Sequence, residues 1–386
     1  MSSSGQSAPI AVPPVALDPA SPRQENPPAG ASVSVASPPT QPTRTITSAG
    51  RRIRTDSSAC ASSSFSCISE TPAFCAIVDV GVWSEQGQRR TMEDQHQAII
   101  PHPSRAPDNG TGSEKPPELV TPRRRGIPFF AVYDGHAGTQ CAEFLRDNLH
   151  NYIMQHPQIE SQPEKAINEA VMRAENEFLQ KCRTENLESG STVALALILR
   201  GEMLVVANVG DSEIVMSRGG RAELLTTKHH LSCNPSEVQR VKAVGGRIHH
   251  NRVGHPRFNP QLVSLAVSRA VGDAGFKLDE YTEGKPSGVI ATPDVKRFQL
   301  TPADAFLIIG CDGLWDVMNY QQAVDFCSQL LHAGSTSQQI SESIVAEALR
   351  LGSMDNVTVM FVGLQLSPLP SDATTGSQHT SLAPIA

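Results

Sequence analysis

Four short acidic motifs, each set beside or at the end of an apolar run, constrain this chain more than any other feature. They are Met92-Glu93-Asp94, Tyr133-Asp134-Gly135-His136, Cys311-Asp312-Gly313 and Asp355-Asn356. The runs at 127–133, 305–311 and 357–364 read as buried strands, so each motif leaves a carboxylate at a strand end. A carboxylate is costly to bury unless something compensates its charge. A fold that gathers these motifs at one place therefore needs cations there. Oxygen ligands without accompanying thiolates suit Mg²⁺ or Mn²⁺ rather than zinc.

The rest of the chain reads as one large folded region with polar flanks. Residues 1–74 are rich in Ser, Pro and Ala and carry almost no large apolar side chains. Such a segment cannot bury enough surface to offset its chain entropy, and it is expected to be disordered. Within it, Arg51-Arg52-Ile53-Arg54-Thr55-Asp56-Ser57 reads as a solvated charge cluster, or as a site for a basophilic kinase at Thr55. The folded region is expected over 75–366, with a long surface loop at 101–126 and a disordered tail at 367–386. A strand is expected at 77–83. Cys141, Phe144, Leu145, Leu149, Tyr152 and Ile153 fall at three- and four-residue steps, as do Ile167, Ala170, Val171, Ala174 and Phe178. Both sets predict amphipathic helices with one buried face. Strands are predicted at 192–199, 203–209 and 214–217, with a hairpin turn at Arg218-Gly219-Gly220-Arg221. Asn234-Pro235-Ser236-Glu237 gives a helix N-cap, a proline at the first position and an acid at the third. Gly245-Gly246 stops that helix, and 247–290 reads as irregular. Two more helices are predicted near 320–332 and 337–351. Alternating strands and helices would suggest a parallel sheet, but here the strands cluster, join by short turns and are flanked by paired helices. That pattern favours antiparallel sheets with helices outside.

Composition excludes several functions. The net charge is −7, against the basic stripe of a nucleic-acid-binding protein. No apolar run approaches the ~18–20 residues that span a bilayer, so no membrane partner is expected. The N-terminus lacks the layout of a secretory signal, and Ser2 excludes N-myristoylation. The 8 cysteines form no C-x-x-C pair, and several sit in apolar contexts. They read as free thiols in a reducing compartment, so a cytoplasmic or nuclear location is expected ahead of an organellar one. A monomer is expected.

Taken in order, the motifs resemble the metal-dependent serine/threonine protein phosphatases of type 2C. The matching stretches begin with Gly87-Gln88-Arg89-Arg90-Thr91-Met92-Glu93-Asp94-Gln95-His96 and Phe129-Phe130-Ala131-Val132-Tyr133-Asp134-Gly135-His136-Ala137-Gly138. Ser189-Gly190-Ser191-Thr192, Ala207-Asn208-Val209-Gly210-Asp211-Ser212 and Leu265-Ala266-Val267-Ser268-Arg269-Ala270-Val271-Gly272-Asp273 follow. Gly310-Cys311-Asp312-Gly313-Leu314-Trp315-Asp316 and Asp355-Asn356-Val357-Thr358 complete the set. One Asp-Gly pair alone would be a turn; seven motifs in order are a family pattern.

The resemblance implies an α+β fold: a four-layer αββα sandwich of two antiparallel sheets flanked by helices, with a dinuclear metal site at one edge. It implies two Mg²⁺ or Mn²⁺ ions and hydrolysis of phosphoserine and phosphothreonine in phosphorylated protein substrates. A metal-bridged water would attack phosphorus in line, since two ions ~3.5–4 Å apart lower its pKa. By the same resemblance Asp134 bridges both metals and the carbonyl of Gly135 serves the first. Glu93, Asp312 and Asp355 serve the second, and Asp94 is an outer ligand. Asp211, with Asp312, can hold a weaker third ion. Arg89 is the phosphate clamp and His136 the general acid for the leaving oxygen. Asp273 is expected in an ion pair or a turn. A mobile flap is expected at 247–272, where His249, His250, Arg252, His255 and Arg257 could meet phosphopeptides. The chain departs from the pattern at Glu213, where Arg is common, and at Lys228, where Asp is common. Both departures bear on local structure and substrate contacts. A regulatory binding module on the same fold would have lost its ligand residues, which are all present here. A phosphatase for small metabolites would act on nucleotides in preference to phosphopeptides.

Overall fold

The computed structural model describes residues 74–101 and 126–368. The segments 1–74, 101–126 and 367–386 therefore lie outside the described residues except at their ends. The first strand is β1 (Phe74–Glu85), followed by β2 (Gln95–Ile99), β3 (Phe129–Tyr133) and the two-residue β4 (Gly135–His136). Then come α1 (Gln140–Met154) and α2 (Pro163–Glu185), where the two periodic stripes predicted them. Pro163 stands at the first position of α2, where its missing N–H costs nothing, and Asn186 closes that helix in the left-handed region.

The middle of the chain is a run of strands: β5 (Gly190–Ser191), β6 (Val193–Leu199), β7 (Met203–Val209), β8 (Glu213–Arg218) and β9 (Arg221–Leu224). Next is α3 (Pro235–Ala243), whose N-cap Asn234 accepts from the Glu237 N–H at 3.3 Å. The stretch expected as irregular holds β10 (Arg247–His249), β11 (Arg252–Gly254), β12 (Ser264–Leu265), β13 (Val271–Gly272), α4 (Ala274–Lys277) and α5 (Asp279–Thr282). These elements are two to four residues long, too short for any periodicity to register in sequence. The chain ends with β14 (Asp294–Gln299), β15 (Asp304–Gly310), α6 (Asp312–Trp315), α7 (Tyr320–His332), α8 (Ser337–Arg350) and β16 (Val357–Pro368). Asn319 and Thr336 each open their helix with a capping box, which fixes where α7 and α8 start.

Two five-stranded sheets form the centre. One has the order β1-β16-β15-β8-β9, the other β14-β7-β6-β3-β2, and every pairing in them is antiparallel. Side chains alternate across each strand. Phe130 and Val132 of β3 meet Leu307 and Ile309 of β15 between the sheets. Phe129, Ala131 and Tyr133 point the other way, onto Leu145 and Leu149 of α1 and Phe178 of α2. Phe306, Ile308 and Phe361 pack outward onto α7 and α8 through Val324, Ile340 and Ile344. The central strands are thus covered on both faces. That is why 193–199 and 305–311 read as continuous apolar runs rather than alternating ones. The layers are helices, sheet, sheet, helices, the αββα sandwich expected.

Candidate active site

Strand register gathers the acidic motifs. Gln95 of β2 pairs with Tyr133 of β3, so Asp94 and Asp134 leave adjacent strands at one level. Gly310 of β15 pairs with Glu213 of β8, which sets Cys311 and Asp312 against Asp211 and Ser212. Glu85 of β1 pairs with Val357 of β16, which sets the turn 86–93 against Asp355 and Asn356. The Asn356 side chain ties that turn down: its Nδ2 donates to the carbonyls of Gln86 at 2.8 Å and Thr91 at 3.0 Å, and its Oδ1 accepts from the Glu93 N–H at 2.9 Å.

Two triplets of potential ligand atoms result, each with its atoms within 4.8 Å of one another. One is Asp94, Asp134 and Cys311; the other is Asp134, Asp211 and Asp312. Asp134 is common to both. The Cys311 thiol is occupied elsewhere: it donates to the Asn356 carbonyl at 3.4 Å and accepts from the Thr358 N–H at 3.2 Å. Burial, then the neighbouring Asp94 and Asp134, push its pKa well up, so it stays protonated. What remains is a set of hard oxygens.

These oxygens fit a divalent cation. Asp94 is 4% exposed, and neither of its carboxylate oxygens has a hydrogen-bond partner. Burial lifts its pKa to about 6. Burial, then the charges of Asp211 and Asp355, lift Asp312 to about 8. Asp134 is pushed well up by burial and then by Asp312, Asp94 and Asp211. Two like charges ~5 Å apart repel by roughly 3 kcal/mol at an effective dielectric of ~20, so the cluster resists ionisation by itself. A cation reverses that sign and leaves the carboxylates as ligands.

The other expected ligands sit around this cluster. Glu93 accepts from Thr91 Oγ1 at 2.8 Å and from the Gly138 N–H at 3.3 Å. At Gly135 a Cβ would lie 2.4 Å from the Glu93 carbonyl oxygen, so the close approach of these two backbones requires glycine there. Asp355 accepts from Arg89 Nη2 at 2.5 Å and from the Asn356 N–H at 2.8 Å. Neither Glu93 nor Asp355 belongs to a triplet. The Arg89 side chain is 60% exposed, so the guanidinium stands over Asp355 at the mouth of the site.

His136 is held from behind. Its Nε2 lies 2.9 and 3.0 Å from the two carboxylate oxygens of Asp273. Burial opposes charge on the imidazole, but Asp273 outweighs it, and the pKa is raised above the usual histidine value. Asp273 is thus in an ion pair, and it adopts a left-handed backbone, with φ +56°. Gly272 before it has φ +81°, and its N–H donates to Glu175 Oε2 at 2.8 Å. Lys277 bridges Glu175 at 2.6 Å and the Ala270 carbonyl at 2.7 Å. Glu175 was not visible as part of the site: in sequence it is one polar residue in the stripe of α2.

The two departures from the family pattern face each other. Lys228 Nζ is 4.0 Å from Glu213 Oε1 and 3.6 Å from Asp316 Oδ1. In the expected flap, His255 is buried and its Nε2 bonds the Gly275 carbonyl at 2.8 Å, while Arg257 pairs with Glu283 at 3.0 Å. Those two residues hold structure. His249, His250 and Arg252 line a surface groove with Pro260, Gln261 and Ser264.

Comparison with known proteins points the same way. A family model described as protein phosphatase 2C matches residues 78–357. The chain is 33% identical over 300 residues to the probable protein phosphatase 2C 27 of Oryza sativa subsp. japonica, covering 77% of this chain and 78% of that protein. It is 35% identical over 293 residues to the probable protein phosphatase 2C 22 of Arabidopsis thaliana, covering 75% and 70%. Among solved structures, the serine-threonine phosphatase 2C of Toxoplasma gondii superposes with a TM-score of 0.60 at 26% identity, covering 76% of this chain and 96% of that one.

Proposed function

The chain belongs to the protein phosphatase 2C family of metal-dependent protein serine/threonine phosphatases, and we propose that its acidic cluster holds two divalent cations with Asp134 shared between them. The observation that carries this reading is that Asp134 stands in both ligand triplets while the oxygens of buried Asp94 have no other partner. Glu93, Asp312 and Asp355 would complete one site and the Gly135 carbonyl the other. Glu93 and Asp355 can do this without giving up their present bonds, because a carboxylate has about four lone-pair sites. Mg²⁺ and Mn²⁺ both suit such an oxygen set. When bound, the ions supply an activated water and neutralise charge on the phosphoryl group.

The chain's own residues do the rest. Arg89 spends one N–H on Asp355 and has further donors free, in a fork that matches phosphate oxygens. We infer that it seats the phosphoryl group over the cluster. His136, whose pKa Asp273 raises against the effect of burial, would deliver a proton to the departing serine or threonine oxygen. Asp273 would hold the imidazole in place through that transfer. We infer that the groove lined by His249, His250 and Arg252, in which Arg252 carries a fixed positive charge, receives a phosphorylated segment of a protein substrate.

Two further proposals concern compartment and assembly. The described cysteines are all free, four of them buried, which suits a reducing compartment such as cytosol or nucleus. The chain is also proposed to act as a monomer. Cell fractionation and light scattering test these.

The deciding experiment is hydrolysis of a phosphothreonine peptide by the purified chain with Mn²⁺, with Mg²⁺ and with EDTA. Activity that requires the ion and disappears with chelator supports the reading. Activity that persists in EDTA after dialysis refutes it.

A further inference from the structure

Lys228 stands between two acidic side chains, Glu213 and Asp316. Glu213 opens β8 two residues after Asp211 and is 1% exposed. Tyr320 Oη donates to its Oε2 at 2.5 Å, and the Tyr320 ring packs edge-on against Trp315 with centroids 5.4 Å apart. Its other oxygen, Oε1, has no hydrogen-bond partner. The Lys228 ammonium lies between that oxygen at 4.0 Å and Asp316 at 3.6 Å. It also feels the fields of Asp211 and Asp312, and the four carboxylates together outweigh its burial and keep it charged.

The lysine is anchored on both sides. Its carbonyl accepts from the Asn234 side chain at 3.0 Å, at the start of α3. The next residue, His229, is fully buried, and its Nδ1 accepts from the Gly210 N–H at 3.1 Å, directly beside Asp211. The ammonium is therefore tethered to the Asp211 side of the site by the backbone itself.

We propose that Lys228 neutralises the Asp211–Asp312–Asp316 edge in place of a further divalent cation, so that this chain binds two such ions and not three. The proposal rests on the dinuclear reading above. Two carboxylates facing Lys228, Asp211 and Asp312, also face the proposed pair of ions. A third ion would have to settle beside a fixed positive charge that already stands 3.6 Å from Asp316 and offsets part of the charge of that edge. The lysine then acts as a positioning residue that sets how many ions the site takes. An ion pair serving only to compensate buried Glu213 would leave the ion count untouched by its removal.

The test counts bound Mn²⁺ on the full, metal-free chain by calorimetric titration, with free Mn²⁺ followed by electron paramagnetic resonance. Wild type should take two ions. The double variant Lys228→Gln/Glu213→Gln removes both charges together, so no buried carboxylate is left unpaired. It should take a third ion, weaker than the first two by about tenfold or more. Adding Asp316→Asn to that background should abolish the third ion. Lys228→Ala is the second variant should the double one not fold, with circular dichroism as the check. Three ions in wild type, or two in either folded Lys228 variant, overturns the proposal. Fewer than two ions in wild type, or full binding by Asp134→Asn, overturns the dinuclear reading itself, and that result is distinct from the first.

Discussion

Glu237→Gln tests how the loop that carries Asp273 is held. Glu237 lies on α3 and is 2% exposed. Its Oε2 accepts from Arg240 Nη2 at 2.6 Å, Ser268 Oγ at 2.6 Å and Arg269 Nε at 3.2 Å. Its Oε1 accepts from Arg240 Nε at 3.0 Å and Arg269 Nη2 at 2.8 Å. Glutamine keeps the shape but turns one acceptor into a donor that faces guanidinium donors. Removing one side of a buried ion pair costs about 3–5 kcal/mol. Arg269 keeps Asp294 at 3.0 Å, so the lower end, ~3 kcal/mol, is the expectation here. For a domain of this size that is a fall of roughly 6–12 °C in melting temperature. Differential scanning calorimetry at about pH 7 measures it. The pH dependence adds a second check. Burial would raise the Glu237 carboxyl, but Arg240, Arg269 and Ser268 outweigh it and hold the pKa well below the ordinary 4.5. A depressed carboxylate contributes its full stability above the unfolded value and loses it as pH falls through the folded one. The gap between wild type and variant should therefore be constant from about pH 8 to 5 and narrow only in stronger acid. A deficit below ~1 kcal/mol, the worth of an exposed pair, would refute the reasoning. So would a gap that closes between about pH 8 and 6.

Other outcomes follow from the same geometry. His136→Ala should lower kcat on a phosphothreonine peptide by about 10²-fold or more, but lower it much less on an aryl phosphate, whose leaving group needs no proton; equal losses on both would remove the histidine from the proton-donor role. Asp312→Asn should melt no lower than wild type in EDTA, because it relieves charge repulsion, yet gain less on adding Mn²⁺; a full Mn²⁺ gain in thermal shift argues against the ligand. For wild type, moving from EDTA to Mn²⁺ at 100 times its dissociation constant should stabilise by about 2.7 kcal/mol for each ion bound, or roughly 5–10 °C apiece, and no shift would mean no specific ion. Gly313→Ala puts a Cβ 2.1 Å from the Asn356 carbonyl oxygen and should cost about 1–3 kcal/mol. Gly275→Ala meets nothing within 4 Å and should be close to neutral, so equal melting of the two variants would contradict the packing argument.

What was legible in the sequence was whatever repeats over several residues or recurs as a motif. The stripe from Cys141 to Ile153 and the run 193–199 each contain enough positions to declare a helix or a strand. The acidic motifs could be placed at strand ends because apolar runs stop there. β14 was not legible: its exposed Lys296 and Arg297 sit on an edge strand and mask the pattern. Glu237 was read as a helix N-terminal acid, which explains its position but not its carboxylate, which turns to Arg240 one helical turn on and to Arg269 far along the chain. The reversed charges at Glu213 and Lys228 were each visible alone. That they compensate one another depends on β8 and the segment after β9 lying side by side, which no local pattern encodes.

The two halves of the site are secured by different forces. Metal-facing carboxylates take their places from strand register, and that register follows from which side chains enter the core between the sheets. His136 depends instead on Asp273, a non-glycine residue in the left-handed region, a conformation that costs about 1–2 kcal/mol. That cost is met by a buried polar brace: Glu175 on the Gly272 N–H, Lys277 on Glu175, and Glu237 on Arg269 and Ser268. Each brace member is nearly buried and already committed to its partners, so losing one leaves a buried charge short of a partner. The register half tolerates conservative apolar exchange, because volume and alternation are all it needs. The brace tolerates little, because every bond in it is directional and charged. On the proposed mechanism, ion binding by the carboxylates and proton delivery by His136 should therefore be separable by mutation, although both would serve one phosphoryl group.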